Sequence, residues 1–142
     1  MTILIDTNVI LDLLLKRVPF DVNAARINVM SETGCITAYI SASAITDIYY
    51  IARKELGNKD VAFGLMEKLL KTIRVADVTE GCIHDAMNLK WDDFEDSVQY
   101  VAGQNVFVDY IVTRNPRDYA KGQIDIVTPQ EFLDRIVPSN AS

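Results

Sequence analysis

The sequence predicts an α/β domain, a three-layer sandwich with a mainly parallel sheet of about five strands. Two observations lead there. Strand-like segments alternate along the chain with stretches of helical periodicity, the order that builds βαβ units. The strand-like segments are also nearly solid apolar runs, such as Ile3-Leu4-Ile5 and Val106 to Val112. Strands of that kind are buried on both faces, as in a parallel sheet with helices on either side.

Taken in order, Thr2 to Ile5 is a short first strand that stops at Asp6-Thr7-Asn8. Val9, Ile10, Leu13 and Leu14 then recur at helical spacing toward Arg17. Pro19 opens a second helical stretch that runs to a stop at Gly34, and Cys35 to Ile40 is β-branched and aromatic enough for a second strand. Ser41 or Ser43 caps a helix that ends near Gly57-Asn58. Val61 to Leu70 continues with another, and Ile73 to Val78 is a third strand. Thr79 caps a helix to about Leu89. The stretch Asp92-Asp93-Phe94-Glu95 has an acceptor at the cap and Glu three residues on, a capping-box variant that starts a helix through Ala102, closed by Gly103. Val106 to Val112 is a fourth strand, Thr113 to Tyr119 a polar turn, and Ile124 to Val127 a fifth strand. Thr128-Pro129-Gln130-Glu131 then caps a last helix reaching about Val137. Residues 1–137 are expected to form one domain, and 138–142 a frayed tail.

Composition narrows the function classes. A chain of 142 residues with 49% hydrophobic content can bury one continuous core. Acidic residues outnumber basic ones, 20 to 14, for a formal charge of −6, which removes the broad basic surface of a protein that binds nucleic acid by charge alone. Asp6 and Asp12 interrupt the first apolar stretch and Lys16-Arg17 follows it, so a signal peptide is not expected. No run of about 18 apolar residues marks a membrane span. Cys35 and Cys82 lie far apart and His84 is the single histidine, too little for a zinc site. The expectation is a reduced, cytoplasmic protein.

In an open α/β sheet the ligand site lies beyond the carboxyl ends of the strands, so the residues just after each apolar run carry the information. Asp6 and Asn8 follow the first strand, Asp47 lies in the first two turns of the helix after the second, and Asn115 and Asp118 follow the fourth. Asp93 and Asp96, three apart, share one face of the first turn of a helix. Each has a simpler explanation as a helix cap, a macrodipole partner or a turn residue. Their convergence on one sheet edge has not. Clustered carboxylates repel and raise one another's pKa unless a cation is bound, and oxygen-only ligands select a hard ion, Mg²⁺ or Mn²⁺. That ion would also supply the positive charge a phosphodiester needs and this acidic chain lacks.

Four segments, IDTNVILDLL, SASAITDIYYIARK, DFEDSVQYVA and DYIVTRNPRDY, together resemble the PIN-domain nucleases, including the VapC-type toxin ribonucleases. The resemblance spans essentially the whole chain in the right order. It implies a PIN-like fold and a metal-dependent endoribonuclease that hydrolyses RNA phosphodiester bonds, with Mg²⁺ or Mn²⁺ held by acidic residues. Carried over by position, Asp6 is the first acid and Asn8 its supporting neighbour. Asp47 falls where the family usually has Glu, Asp96 matches the third acid and Asp93 is an accessory one turn earlier. Asn115 occupies a position where the family often has its fourth acid, leaving Asp118 as the nearest carboxylate. Thr113 would orient a metal-bound water or a phosphate, and Arg114 and Arg117 are available to meet the substrate phosphate. The resemblance further implies a homodimer and, for the toxin of a toxin–antitoxin pair, an antitoxin protein as partner.

Asp47 and Asn115 depart from the family pattern, and an amide in place of a carboxylate removes charge from a site whose metal affinity depends on it. They motivate a second reading, a PIN-like module that binds nucleic acid or protein with little or no turnover. A phosphotransfer receiver or phosphatase fits less well, because the first strand is followed by DTN and no suitably placed lysine follows a late strand. Among the aromatic residues, Trp91 and Tyr50 are candidates to stack on unpaired bases, whereas Tyr49 and Phe94 are expected in the core.

Overall fold

The computed structural model describes residues 1–119 and 122–136; the predicted tail at 138–142 and the last predicted helical residue, Val137, fall outside them. Among the described residues five strands form one sheet: β1 (Thr2–Ile5), β2 (Thr37–Ser41), β3 (Arg74–Ala76), β4 (Tyr110–Val112) and β5 (Asp125–Val127), in the order β3-β2-β1-β4-β5. Every pairing is parallel, with β1 in the middle between β2 and β4. Among the described residues seven α-helices cover it: α1 (Thr7–Leu14), α2 (Asp21–Glu32), α3 (Ala42–Leu56), α4 (Lys59–Leu69), α5 (Glu80–Leu89), α6 (Phe94–Asn105) and α7 (Pro129–Ile136).

The apolar run of β1 is explained by its two buried faces. Ile3 and Ile5 join a core with residues of α1 to α4 and α7, while Leu4 points the other way, into a core with Tyr100 and Ala102 of α6 and Ile111 of β4. A smaller cluster, Cys82 and Ala86 with Val98 and Val101, packs α5 on α6. Cys35 and Cys82 are both free thiols. Among the described residues no helix is long and apolar enough to cross a membrane.

Most helix starts follow the sequence signals. Ser41 accepts from Ser43 N and Thr79 from Cys82 N, Gly57 closes α3 in the left-handed conformation at φ 67°, and Thr128 and Glu131 make the reciprocal bonds of a capping box. The cap of α6 is Asp93, which accepts from Asp96 N at 3.0 Å, one residue later than the expected Asp92. The second helix begins at Asp21, two residues after Pro19.

Two expectations around the fourth strand are corrected. Gly103 does not close α6, which runs on to Asn105; a Cβ there would sit 3.2 Å from Val108 Cγ2, so the glycine makes room for the turn that folds back under the helix end. The helix ends in a Schellman turn, with Val108 N bonded to Gly103 O and Phe107 N to Gln104 O, and Phe107 takes the left-handed position at φ 58°. That turn consumes Val106 to Val108, so β4 is the three residues Tyr110–Val112 instead of seven.

Candidate active site

The chain leaves β1 toward β2 and β3 on one side and returns through β4 and β5 on the other, so the order reverses between β1 and β4. A crevice opens at such a point, beyond the carboxyl ends of the strands. Here a cleft of about 350 Å³ lies there, lined by Asp6, Asn8, Asp47, Asp93, Glu95, Asp96, Gln99 and Asp118, with Thr7, Leu11, Tyr50 and Ile51.

Asp6 sits at the floor, 7% exposed. Its backbone N–H still belongs to the sheet, donating to Val112 O at 2.9 Å, while its carbonyl begins α1. The side chain occupies the cap position of α1 but does more than cap it. Oδ1 accepts from Thr7 N at 2.7 Å and from Gln99 Nε2 at 3.1 Å; Oδ2 accepts from the Thr113 hydroxyl at 2.7 Å. The last two bonds reach to α6 and across the switch point to the end of β4, so the carboxylate is fixed by three separate parts of the chain. Thr113 is fully buried and its hydroxyl also accepts from Asn115 N, which turns the chain out of the sheet.

The other acids close around it. Asp96 is buried in the first turn of α6, and burial first, then the charges of Asp93, Asp6, Asp118 and Glu95, push its carboxyl up to about 7. Glu95 is raised by partial burial and by the charges of Asp47, Asp93 and Asp6. Asp47 arrives on the exposed side from the second turn of α3, and Asp118 from the short 3₁₀ turn Pro116–Asp118. The Tyr119 hydroxyl is buried; its pKa is raised well above the usual phenol range by burial and by the charges of Asp6 and Asp96, so it stays protonated.

Sequence reasoning named Asp6, Asn8, Asp47, Asp93, Asp96 and Asp118, and all of them line this one cleft. It missed Glu95, Gln99 and Tyr119. Glu95 reads in the sequence as part of a capping box, the bond from Gln99 to Asp6 joins residues 93 positions apart, and Tyr119 feels the Asp6 charge from 113 positions away, which no local pattern encodes. Three residues of the TRNPRD turn are elsewhere. Asn115 is exposed and does not line the cleft, nor does the exposed Arg117. Arg114 turns away: its Nε is 3.0 Å from Asp12 Oδ2 and its guanidinium lies 4.2 Å from the centre of the Phe20 ring. It lines a different hollow, with Pro19, Phe20 and Pro129. Of the aromatic residues, Trp91 packs between Tyr100 and Tyr119, and Tyr49 against Phe63. Phe94, expected in the core, is 43% exposed, because as the first residue of α6 it projects beside the cap.

A PIN-domain family model matches residues 2–117, most of the chain. The chain belongs to the PIN-domain family. The match takes in each strand end that frames the cleft and stops one residue before Asp118. Solved structures agree on the fold of this PIN domain. The VapC20 toxin of Mycobacterium tuberculosis, described as cleaving the sarcin–ricin loop, is 16% identical at a TM-score of 0.62, over 77% of this chain and 86% of that one. A toxin–antitoxin complex from Klebsiella pneumoniae is 20% identical at 0.66, over 89% and 96%. VapBC2 of Rickettsia felis, bound to a DNA fragment from its promoter, is 14% identical at 0.67, over 89% and 97%. No match to a curated protein sequence is found.

The donor set suits a hard cation. The polar side chains that line the cleft with Asp6 can all offer oxygen as a ligand, and Gln99 Oε1 and Thr7 Oγ1 are buried atoms without a hydrogen-bond partner, acceptors suited to the waters of a hydrated ion. Among the described residues no three carboxylates already converge as a ready-made ligand set. Mg²⁺ tolerates that arrangement, since it keeps several waters and takes only one or two protein carboxylates.

Proposed function

We propose that this PIN domain is a metal-dependent endoribonuclease and acts as the toxin of a toxin–antitoxin pair. The observation that carries the reading is the gathering of Asp6, Asp47, Asp93, Asp96, Glu95 and Asp118 in one cleft at the switch point of the sheet. Six acids in one crevice of a protein that already carries a charge of −6 is an arrangement that costs stability unless a cation answers it. The fold neighbours described as a loop-cleaving toxin and as toxin–antitoxin complexes support the same class.

Asp6 and Asp96 would hold Mg²⁺ or Mn²⁺, with Asp47 and Asp93 reaching it from the rim. The ion, when bound, supplies a Lewis acid for the phosphoryl oxygen and lowers the pKa of water. The chain's own residues do the rest. Thr113 and Gln99 hold the Asp6 carboxylate in one orientation, leaving part of Oδ2 free. Asp96, whose carboxyl is pushed up to about 7 by burial and the surrounding acids, would be drawn back to its ionised form by a bound cation, which suits it to hold the ion. Asp118 shares the acid cluster in the place that Asn115 leaves. Arg114 is committed to Asp12 and is not a phosphate ligand in this reading; Arg117 is free to reach one from the rim. An antitoxin protein and a second copy of the chain are the partners this class implies, and the free thiols suit a reducing, cytoplasmic setting.

Purified protein incubated with single-stranded and structured RNA should cut in Mn²⁺ or Mg²⁺ and not in EDTA, and Asp6→Asn or Asp96→Asn should abolish the cut. The rival reading, a binding module without turnover, draws on Asp47 and Asn115. Titration calorimetry separates them: saturable Mn²⁺ binding that disappears in Asp6→Asn supports the nuclease, and its absence sinks it.

A further inference from the structure

One exposed stripe of α3 leads away from the acidic cleft. Asp47 and Tyr50 both line the cleft; Tyr50 also lines a second, shallow hollow of about 490 Å³ together with Arg53, Lys54, Asn58 and Lys59. Positions 47, 50 and 53–54 are one turn apart on the same helix face, so the stripe passes from carboxylate to aromatic ring to cations over about 10 Å, from the 1.5 Å rise per residue.

Three features make the hollow suited to a strand of nucleic acid. First, its cations are unanswered: among the described residues Arg53, Lys54 and Lys59 form no ion pair, and the neighbouring Glu55 is drawn off by Arg17 at 2.8 Å. In a chain with 20 acidic against 14 basic residues, three such cations beside an acidic cleft form a local reversal of sign. Second, Tyr50 is 64% exposed at the junction, and its ring is braced edge-on by Tyr49 at 5.3 Å, which itself packs at a tilt against Phe63 at 4.7 Å. A ring held on one side and open on the other is a platform for a base. Third, the hollow has a rigid wall: Gly57 ends α3 in the left-handed conformation and Asn58 caps α4 by accepting from Asp60 N and Val61 N, so the turn carrying Lys59 is fixed.

We infer that this hollow is the binding subsite for the single-stranded RNA next to the scissile phosphate, with Tyr50 stacking on a base and Arg53, Lys54 and Lys59 meeting backbone phosphates. The inference rests on the nuclease reading and adds the path of the substrate to it. It also supplies what net charge alone denied, a place where an acidic protein attracts a polyanion while keeping its carboxylates for metal.

The test is a fluorescence-anisotropy titration of the full chain with an unstructured RNA oligonucleotide in EDTA, so that no cutting occurs, at several salt concentrations. The triple variant Arg53→Ala, Lys54→Ala, Lys59→Ala should bind more weakly, and its plot of log affinity against log salt should flatten by about 2, from the slope of about 0.7 per phosphate contact on single strands. Tyr50→Ala should lose about tenfold in affinity with little change in slope, and Tyr50→Phe should restore it. Circular dichroism melts establish that each variant is folded. A folded triple variant with unchanged affinity and slope overturns the inference, as does a wild type that binds a polyglutamate peptide and no oligonucleotide. Failure of the nuclease reading is a separate result: Asp6→Asn tests cleavage and Mn²⁺ binding, and a wild type that binds RNA through this stripe but never cuts it overturns the activity alone.

Discussion

At the scale of the residue, Asp96 makes the conflict between folding and function measurable. Its carboxyl is pushed up to about 7 in the folded protein against an ordinary 3.8, so the folded state favours its protonated form. For a group raised on folding, the stabilising contribution is full below the unfolded value and is lost as pH rises through the folded one. The metal-free protein should therefore lose stability between about pH 4 and 8 through this group, and Asp96→Asn, neutral throughout, should melt higher than wild type in EDTA at pH 8 and nearly equally at pH 4. Thermal melts of both proteins across that range check it; a variant that melts lower at pH 8 would show that the carboxylate is satisfied without metal. Gln99 makes the complementary case. It is 1% exposed, so Gln99→Met keeps the volume and removes the bond to Asp6. A partner that orients a ligand typically contributes 10–100-fold in metal affinity or activity, and a loss of about that size in Mn²⁺ affinity by calorimetry is expected. The contrast between the two residues explains what could be read from sequence. Asp96 sits three residues from Asp93 in a recognisable helix start, whereas the role of Gln99 exists only once α6 has crossed β1.

Among the elements, the clearest departures from the sequence pattern lie where tertiary contacts overrode a local signal. Val106 to Val112 has the composition of one long strand, yet a Schellman turn takes its first half, because β4 pairs with β1 and β5 through only Tyr110 to Val112. The cost falls on Phe107, 86% exposed and left-handed. A residue with a Cβ is strained by about 1–2 kcal/mol there, and glycine is not. Phe107→Gly should thus stabilise the protein by about 1 kcal/mol, raising the melting temperature by a few degrees. Calorimetry at a fixed scan rate checks it, and a lower melting temperature would mean that the exposed ring contributes more than the strain removes. Arg114 shows a second override. The sequence offered it as a phosphate ligand in a polar turn, but Asp12, 1% exposed on α1, claims it across the sheet edge. Arg114 is 27% exposed and Arg17 also faces Asp12, so the loss is partly compensated and Arg114→Met should cost about 1–2 kcal/mol in urea unfolding. It should leave the salt slope of RNA binding unchanged, since the guanidinium does not line the cleft.

Across the whole molecule, the legible part was the architecture and the edge on which the acids fall. Solid apolar runs can be buried on both sides only in a sheet covered twice, and a covered parallel sheet has one edge where strand ends and helix starts meet. Fold and location of the candidate site were therefore one inference. The closing geometry was not legible, because the depth of Asp6 and the partners that hold it depend on how β1, β4 and α6 meet. That geometry has a consequence for the entire chain. If acids from α1, α3, α6 and the turn after β4 share one cation, binding it ties together elements from both halves of the sheet, and the free energy of binding adds to that of folding. At a free Mn²⁺ concentration 100 times the dissociation constant the gain is about 2.7 kcal/mol. The melting temperature of the wild type should rise with Mn²⁺ and saturate. Asp6→Asn should abolish the rise, while Arg53→Ala, outside the acid cluster, should retain it. Differential scanning fluorimetry over a Mn²⁺ series checks this directly. A rise of equal size in Asp6→Asn would mean that the ion acts by screening the surface charge, and that the six carboxylates are not one site.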